Sequence, residues 1–153
     1  MNNIMGRFSA KVLPEVLTAL KEADLIIFSM GSLYTSVLPN VMCKEVKAVL
    51  KEAKAPIMYL CNVVTQPGET DDFTVSDHVK LLNRYLDKKK VDAVIASNTK
   101  LDKEIAKKYE TEEQKEPVKI DYEKLSTLIF VPATAGLLCA SYIINDIVGD
   151  LNV

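Results

Sequence analysis

Three short apolar runs, each flanked by segments of helical spacing, limit the fold of this chain more than any other feature. They occupy 25–28 (Leu25, Ile26, Ile27, Phe28), 57–62 and 91–97, and their apolar residues are continuous rather than alternating. Such runs read as strands buried on both faces, the situation of a parallel sheet. Over 13–22, Val16, Leu17 and Leu20 share one face and Pro14 suits a first turn, which predicts a helix. A second helix is expected from 39 or 41 to 53, with Val46, Val49 and Leu50 inward and its lysines outward. A third should open at Thr74-Val75-Ser76-Asp77, a capping box with Asp in place of the commoner Glu, and run to about 87. Further on, 101–109 reads as a short charged helix, 110–116 as a polar link and 118–120 as a short edge strand. Strands alternating with helices at this spacing imply βαβ units with right-handed crossovers: an α/β fold with a mostly parallel sheet and helices on both faces.

Composition narrows the function classes. Of 153 residues, 48% are hydrophobic and 26% charged, which suits one globular domain with a real core. A net charge of −2 and the lack of a dense basic stripe argue against nucleic acid as a partner; Lys88, Lys89 and Lys90 read as a solvated helix exit. The five glycines lie too far apart for a dinucleotide fingerprint or a Walker loop, so any phosphate site must be built otherwise. Three cysteines without a close pair spell neither a disulfide framework nor a zinc cluster, and fit a reducing, cytoplasmic setting. The first residues lack the apolar core and cleavage site of a secretory signal. From 125 to 145 no charge occurs, a length able to span a bilayer, but Pro132, Thr134, Gly136, Ser141 and Asn145 interrupt it. A buried strand followed by a helix is the reading for this stretch, and no membrane span is expected.

Ligands in parallel sheets bind outside the carboxyl ends of the strands. Two polar loops fall there. In 29–36, Gly31 lets backbone N–H groups turn toward a ligand, and Ser32, Thr35 and Ser36 add hydroxyl donors, so a phosphate could be held without a cation. The competing reading is a tight turn with a helix cap, in which Tyr34 packs on a neighbouring helix. The second loop, 62–78, gathers amide, hydroxyl and carboxylate groups around Pro67-Gly68. Glu69, Asp71, Asp72 and Asp77 are oxygen ligands of the kind that suits Mg²⁺; the competing reading is a solvated loop with one capping aspartate. His78 is the only histidine, which rules out a histidine dyad or cluster, and at a helix start it reads as structural. A hydrolase built on Ser32 and His78 lacks the nucleophile elbow with glycines on both sides of the serine.

The run 23–40, with Gly31-Ser32-Leu33-Tyr34-Thr35-Ser36 at its centre, resembles a signature of the YvcK-type gluconeogenesis factor family, and 62–78 resembles that family's second signature. The family belongs to the CofD-like superfamily, whose other branch contains 2-phospho-L-lactate transferase. The likeness covers about 13–98 and thins after 101. It implies a cytoplasmic bacterial protein with a Rossmann-like fold. The YvcK branch binds UDP-activated sugars such as UDP-N-acetylglucosamine and is associated with gluconeogenic growth, cell shape and cell-wall precursor metabolism. Carried over, Gly31, Ser32, Tyr34, Thr35 and Ser36 would contact phosphate or sugar, while Asn62, Thr65, Gln66 and Glu69 would line the same cleft. Asp77 would cap the following helix and orient the loop. The resemblance leans toward binding rather than catalysis, with no cofactor firmly implied. Two alternatives stand beside it: a Mg²⁺-dependent phospholactyl transfer using Glu69, Asp71 or Asp77, and a scaffold with a degenerate site. Ser29-Met30 replaces the family's usual Gly-Pro, and the family's glycine-rich nucleotide turn has no match, so the chain is expected to be the C-terminal half of such a protein or a shortened form. The tail from 129 to 146 is weakly similar to the closing strand and helix of ThiF-type adenylating enzymes. A sheet built from half such a unit would expose an apolar edge, which makes a homo-oligomer an expectation.

Overall fold

The computed structural model describes residues 11–98, 107–108, 111, 114–125 and 128–131. Its centre is a sheet of four parallel strands, β1 (Ile26–Phe28), β2 (Ile57–Leu60), β3 (Ala93–Ser97) and β4 (Leu128–Val131), in the order β1-β2-β3-β4. The α/β class read from the sequence is therefore the observed one.

Helix α1 (Pro14–Glu22) precedes β1, with Pro14 in its first turn, where a missing amide costs nothing. The single helix expected over 39–53 is instead two, α2 (Leu38–Met42) and α3 (Lys44–Glu52), because Cys43 is extended at φ −59°, ψ 126°. No proline or glycine forces the break. Val41 and Val46 lie five residues apart and would point about 140° away from each other on one continuous helix. The interruption resets the phase, and Val41, Val46, Val49 and Leu50 all enter the same core. Helix α4 (Val75–Leu86) begins at the predicted capping box: the Thr74 side chain accepts from the Asp77 amide and the Asp77 carboxylate accepts from the Thr74 amide.

Helices are expected on both faces; the four described helices pack on one, the face of Ile57 and Tyr59, and among the described residues no helix covers the other. Leu17 and Leu20 of α1 pack with Ile26, Val41, Leu50, Ile57 and Leu86. Nearer the carboxyl ends, Leu33, Leu38, Tyr59, Val75, Leu82 and Val94 form a second cluster. Leu33, Ile57 and Leu82 are fully buried, each contributing about 1.5–3 kcal/mol by removal from water. On the opposite face Met58 and Ile95 are only 4% and 5% exposed, so the middle strands are buried on both faces. The expected edge strand at 118–120 is not a strand: two isolated bridges, Val64 with Pro117 and Thr74 with Lys119, tie this segment to the second loop. Of the charged helix expected over 101–109, only 107–108 fall among the described residues, and the tail beyond 131 lies outside them. Among the described residues no helix is long and apolar enough to cross a membrane.

Candidate functional site

Both loops singled out above leave carboxyl ends of neighbouring strands, the first after β1 and the second after β2. They are joined side chain to backbone. The Gly31 amide donates to Asn62 Oδ1 (3.0 Å) and Asn62 Nδ2 donates back to the Gly31 carbonyl (2.8 Å). The Ser32 hydroxyl donates to Glu69 Oε2 (2.6 Å) and accepts from the Thr35 amide (3.0 Å). Gly31 does not have a positive φ, and a Cβ added to it would meet only Ser36, at 3.4 Å. Its pairing with Asn62, rather than unusual backbone freedom, defines its place.

After Ser32 the chain enters a π-turn, Leu33–Val37, in which the Ser36 and Val37 amides both reach the Ser32 carbonyl (2.9 and 3.1 Å). Single π-turns of this kind recur at functional sites. Leu33 and Val37 are buried, which fixes the turn to the core, while Tyr34, Thr35 and Ser36 face outward. The first amides of a helical turn have no earlier carbonyl to serve them. Among the described residues, nothing accepts from the amides of Leu33 and Tyr34. An open cleft of about 260 Å³ beside the turn is lined by Ile27, Phe28, Ser29, Met30, Ser36, Val37 and Asn40.

The second loop is rigid by its own bonds. Thr70 is fully buried; its hydroxyl accepts from the Gln66 amide (2.9 Å) and its amide donates to the Gln66 carbonyl (2.9 Å). The Gly68 amide donates to Asp71 Oδ2 (2.8 Å), and Gly68, at φ 76°, makes the turn after Pro67. Thr65, 5% exposed, exchanges bonds with Glu116 through its amide (2.7 Å) and hydroxyl (3.0 Å). Glu116, at the end of the segment expected to be a polar link, is thus part of the loop's frame. Gln66 Oε1 is buried without a partner.

The residues expected to line one cleft therefore fall into three groups. Gly31, Ser32, Asn62 and Glu69 join the loops; Thr65 and Gln66 belong to the inner frame of the second; Tyr34, Thr35 and Ser36 present open groups. Asp77 stands apart as the α4 cap, its Oδ1 paired with Lys80 at 3.2 Å. Burial acts to raise its pKa, but bonds from Thr74 and Lys80 outweigh this and hold the carboxyl below its ordinary value. Glu69, Asp71 and Asp77 are each bound to different partners. Among the described residues no three metal-ligating side chains converge.

His78, fully buried, stacks near Tyr59 (6.3 Å) and meets Phe73 edge-on (5.4 Å). Its Nδ1 lies 2.9 Å from the Thr74 carbonyl, which assigns the proton to Nδ1, and buried Nε2 has no partner. Burial lowers its pKa more than the Thr74 carbonyl and Asp77 raise it, so the ring is neutral and structural. Beneath the site, burial also pushes the Tyr59 phenol up and the Cys61 thiol up to about 12.

Sequence reasoning missed Asp121. Its carboxylate accepts from the Ser76 amide (3.1 Å) and hydroxyl and from the Thr74 hydroxyl (3.0 Å), and pairs with Lys124 at 3.3 Å. Burial works against its ionisation, yet the bonds from Ser76 and Thr74 prevail and bring its pKa down to about 2. Only Lys124 is near it in sequence; the partners that give it its place, Ser76 and Thr74, lie 45 and 47 positions away.

Fold and site together define a parallel α/β protein with a polar site at the carboxyl ends of adjacent strands and no cationic side chain in either loop. The family model for 2-phospho-L-lactate transferase CofD matches residues 2–136, and the chain belongs to that family. A Bacillus subtilis gluconeogenesis factor is 42% identical over 116 residues, covering 76% of this chain and 36% of that protein. A Thermotoga maritima relative is 47% identical over 117 residues, covering 76% of this chain and 37% of its own length. A crystal structure of a Bacillus halodurans member of the UPF0052 family superposes with a TM-score of 0.77 at 36% identity, over 81% of this chain and 41% of that one. The chain thus spans between 36% and 41% of the length of these relatives.

Proposed function

We propose that the chain contributes the phosphate and sugar side of a nucleotide-sugar site of the UDP-N-acetylglucosamine type, in a protein with a regulatory role in gluconeogenic growth, cell shape and cell-wall precursor metabolism. The observation that carries this reading is the joint between the loops. With Ser32 spent on Glu69 and Gly31 on Asn62, the π-turn is held with its first amides and the Tyr34, Thr35 and Ser36 hydroxyls open at the end of β1. Neutral donors in that arrangement can bind phosphate oxygens by hydrogen bonding alone. Phospholactyl transfer draws less support, since one oxygen of Glu69, one of Asp71 and both of Asp77 are already bonded within the protein.

The test is a ¹⁵N-resolved titration of the chain with UDP-N-acetylglucosamine into the millimolar range, with UDP in parallel. Shifts are expected at Leu33, Tyr34, Thr35 and Ser36, larger with the nucleotide sugar. An unchanged spectrum with both compounds, or shifts confined to residues away from the two loops, refutes the assignment.

A further inference from the structure

The segment 116–121 runs across the second loop and is bonded along its length. Glu116 pairs with Thr65, the Val118 amide donates to the Val63 carbonyl (3.0 Å), and the Val75 amide donates to the Lys119 carbonyl (3.0 Å). Asp121 closes the series at Ser76 and Thr74. Val118 is 9% exposed and packs into the cluster that holds Leu33 and Val75, so the strap is anchored in the core beneath both loops. The second loop therefore has two neighbours: the strap on one side and the ligand-facing turn on the other.

We infer that Asp121 is a positioning residue for the ligand site: by fixing the start of α4 it holds the second loop against the π-turn, and so sets where the open donors of Tyr34, Thr35 and Ser36 stand. The chain of contacts is continuous. Asp121 is bonded to Ser76 and to Thr74; Thr74 ends the loop that begins at Asn62; and within that loop Asn62 and Glu69 grip Gly31 and Ser32. Thr74 has one hydroxyl proton, and it lies within reach of both Asp77 Oδ2 (2.8 Å) and Asp121 Oδ2 (3.0 Å). Asp121 accepts from both the amide and the hydroxyl of Ser76; without it the hydroxyl can turn to Thr74 Oγ1 (3.2 Å), but the buried Ser76 amide loses its side-chain acceptor at the hinge of the loop. The inference rests on the two loops being the ligand site, and the experiment separates the two.

Asp121→Asn keeps the shape and an oxygen for the Ser76 amide, but its NH₂ group cannot accept from the Thr74 and Ser76 hydroxyls, whose protons must turn elsewhere. It is compared with Ile57→Val, a core change at the opposite end of β2 from the loops. Amide exchange is followed at Gly31 and Thr35, whose donors bond to Asn62 and Ser32, together with the UDP-N-acetylglucosamine titration. Expected for Asp121→Asn is exchange at both amides faster by about tenfold and binding weaker by about tenfold. Ile57→Val should lower the melting temperature without selective change at either amide or in affinity. Native exchange at Gly31 and Thr35 in folded Asp121→Asn overturns the inference. If the wild-type chain does not respond to the nucleotide sugar, the proposed ligand fails and exchange alone decides the role of Asp121. If Asp121→Asn does not fold, Ser76→Ala is read in the same way.

Discussion

Replacing Asn62 by aspartate should produce a loss of stability that depends on pH, whereas replacing it by alanine should not. Asn62 uses both ends of its amide on Gly31, one as acceptor at 3.0 Å and one as donor at 2.8 Å. Asn62→Ala removes both bonds, each worth about 0.5–1.5 kcal/mol net. Gly31 is only half-buried, so water replaces part of the loss and about 2 kcal/mol is the expected cost. At about 2–4 °C per kcal/mol for a chain of this size, the melting temperature should fall by roughly 4–8 °C. Asn62→Asp retains the acceptor but sets an anionic oxygen against the Gly31 carbonyl. Only the protonated carboxyl can donate there, so folding raises the pKa of the introduced group above the ordinary aspartate value of about 3.9. The folded state then binds more protons than the unfolded one between those two pKa values. Stability contributed by the protonated carboxyl is fully present below about pH 3.9 and is lost as pH rises through the folded pKa, at about 1.4 kcal/mol for each pH unit that separates the folded pKa from the unfolded one. Urea denaturation of both variants from pH 4 to 8 measures this as a difference, which cancels titrations common to the two. A constant gap between the variants across that range would refute the reciprocal Asn62–Gly31 pairing.

His78 gives a second pH signature. Its folded pKa lies below 6.5 because the ring is buried, so the unfolded state binds the proton first; stability is fully present above about pH 6.5 and declines as pH falls through the folded pKa. Denaturation at pH 7.5 and 5.5 should show the loss, and His78→Phe, which cannot take up a proton, should remove most of this pH dependence. At Gly68, φ 76° is strained for any residue with a Cβ although nothing lies within 4 Å of that atom. Gly68→Ala should therefore cost about 1 kcal/mol through backbone strain alone, whereas Gly31→Ala, without positive φ, should cost less; equal thermal shifts for the two would contradict this account.

How far the sequence could be read depended on the range of the interactions. The strands were legible because burial on both faces leaves continuous apolar runs, and Met58 and Ile95 are buried opposite Ile57 and Val94 as such runs require. The α4 start was legible because Thr74 and Asp77 satisfy one another within a single turn, and Asp reaches the cap amide as Glu would. The break at Cys43 left no glycine or proline to mark it; its trace is the five-residue spacing of Val41 and Val46, visible only once both are known to be inward. Asp121 was not legible at all. An aspartate in a polar stretch reads as solvated until folding brings it under Ser76 and Thr74, 45 and 47 residues back along the chain.

The two loops stand at carboxyl ends of adjacent strands, as their place in the sequence implies, but the division of labour inside them is a product of the fold, and it bears on the ligand. The residues that would look most reactive, Ser32 and Glu69, are spent on each other at 2.6 Å. What remains open is neutral: hydroxyls and amides on the π-turn, with no lysine or arginine anywhere in 29–36 or 62–78. Glu69, Asp71 and Asp72 lie in the adjoining loop, so a phosphate arriving at the turn meets donors on one side and negative charge on the other. A terminal phosphate carrying nearly two charges would be penalised there more than a phosphate esterified at both ends, which carries one. In a nucleotide sugar both phosphates are of the second kind, and the uncharged ring occupies the position of the extra charge. On the proposed reading the acidic loop should disfavour free nucleotide diphosphates, so UDP, titrated in parallel, is expected to bind less well than its sugar conjugate.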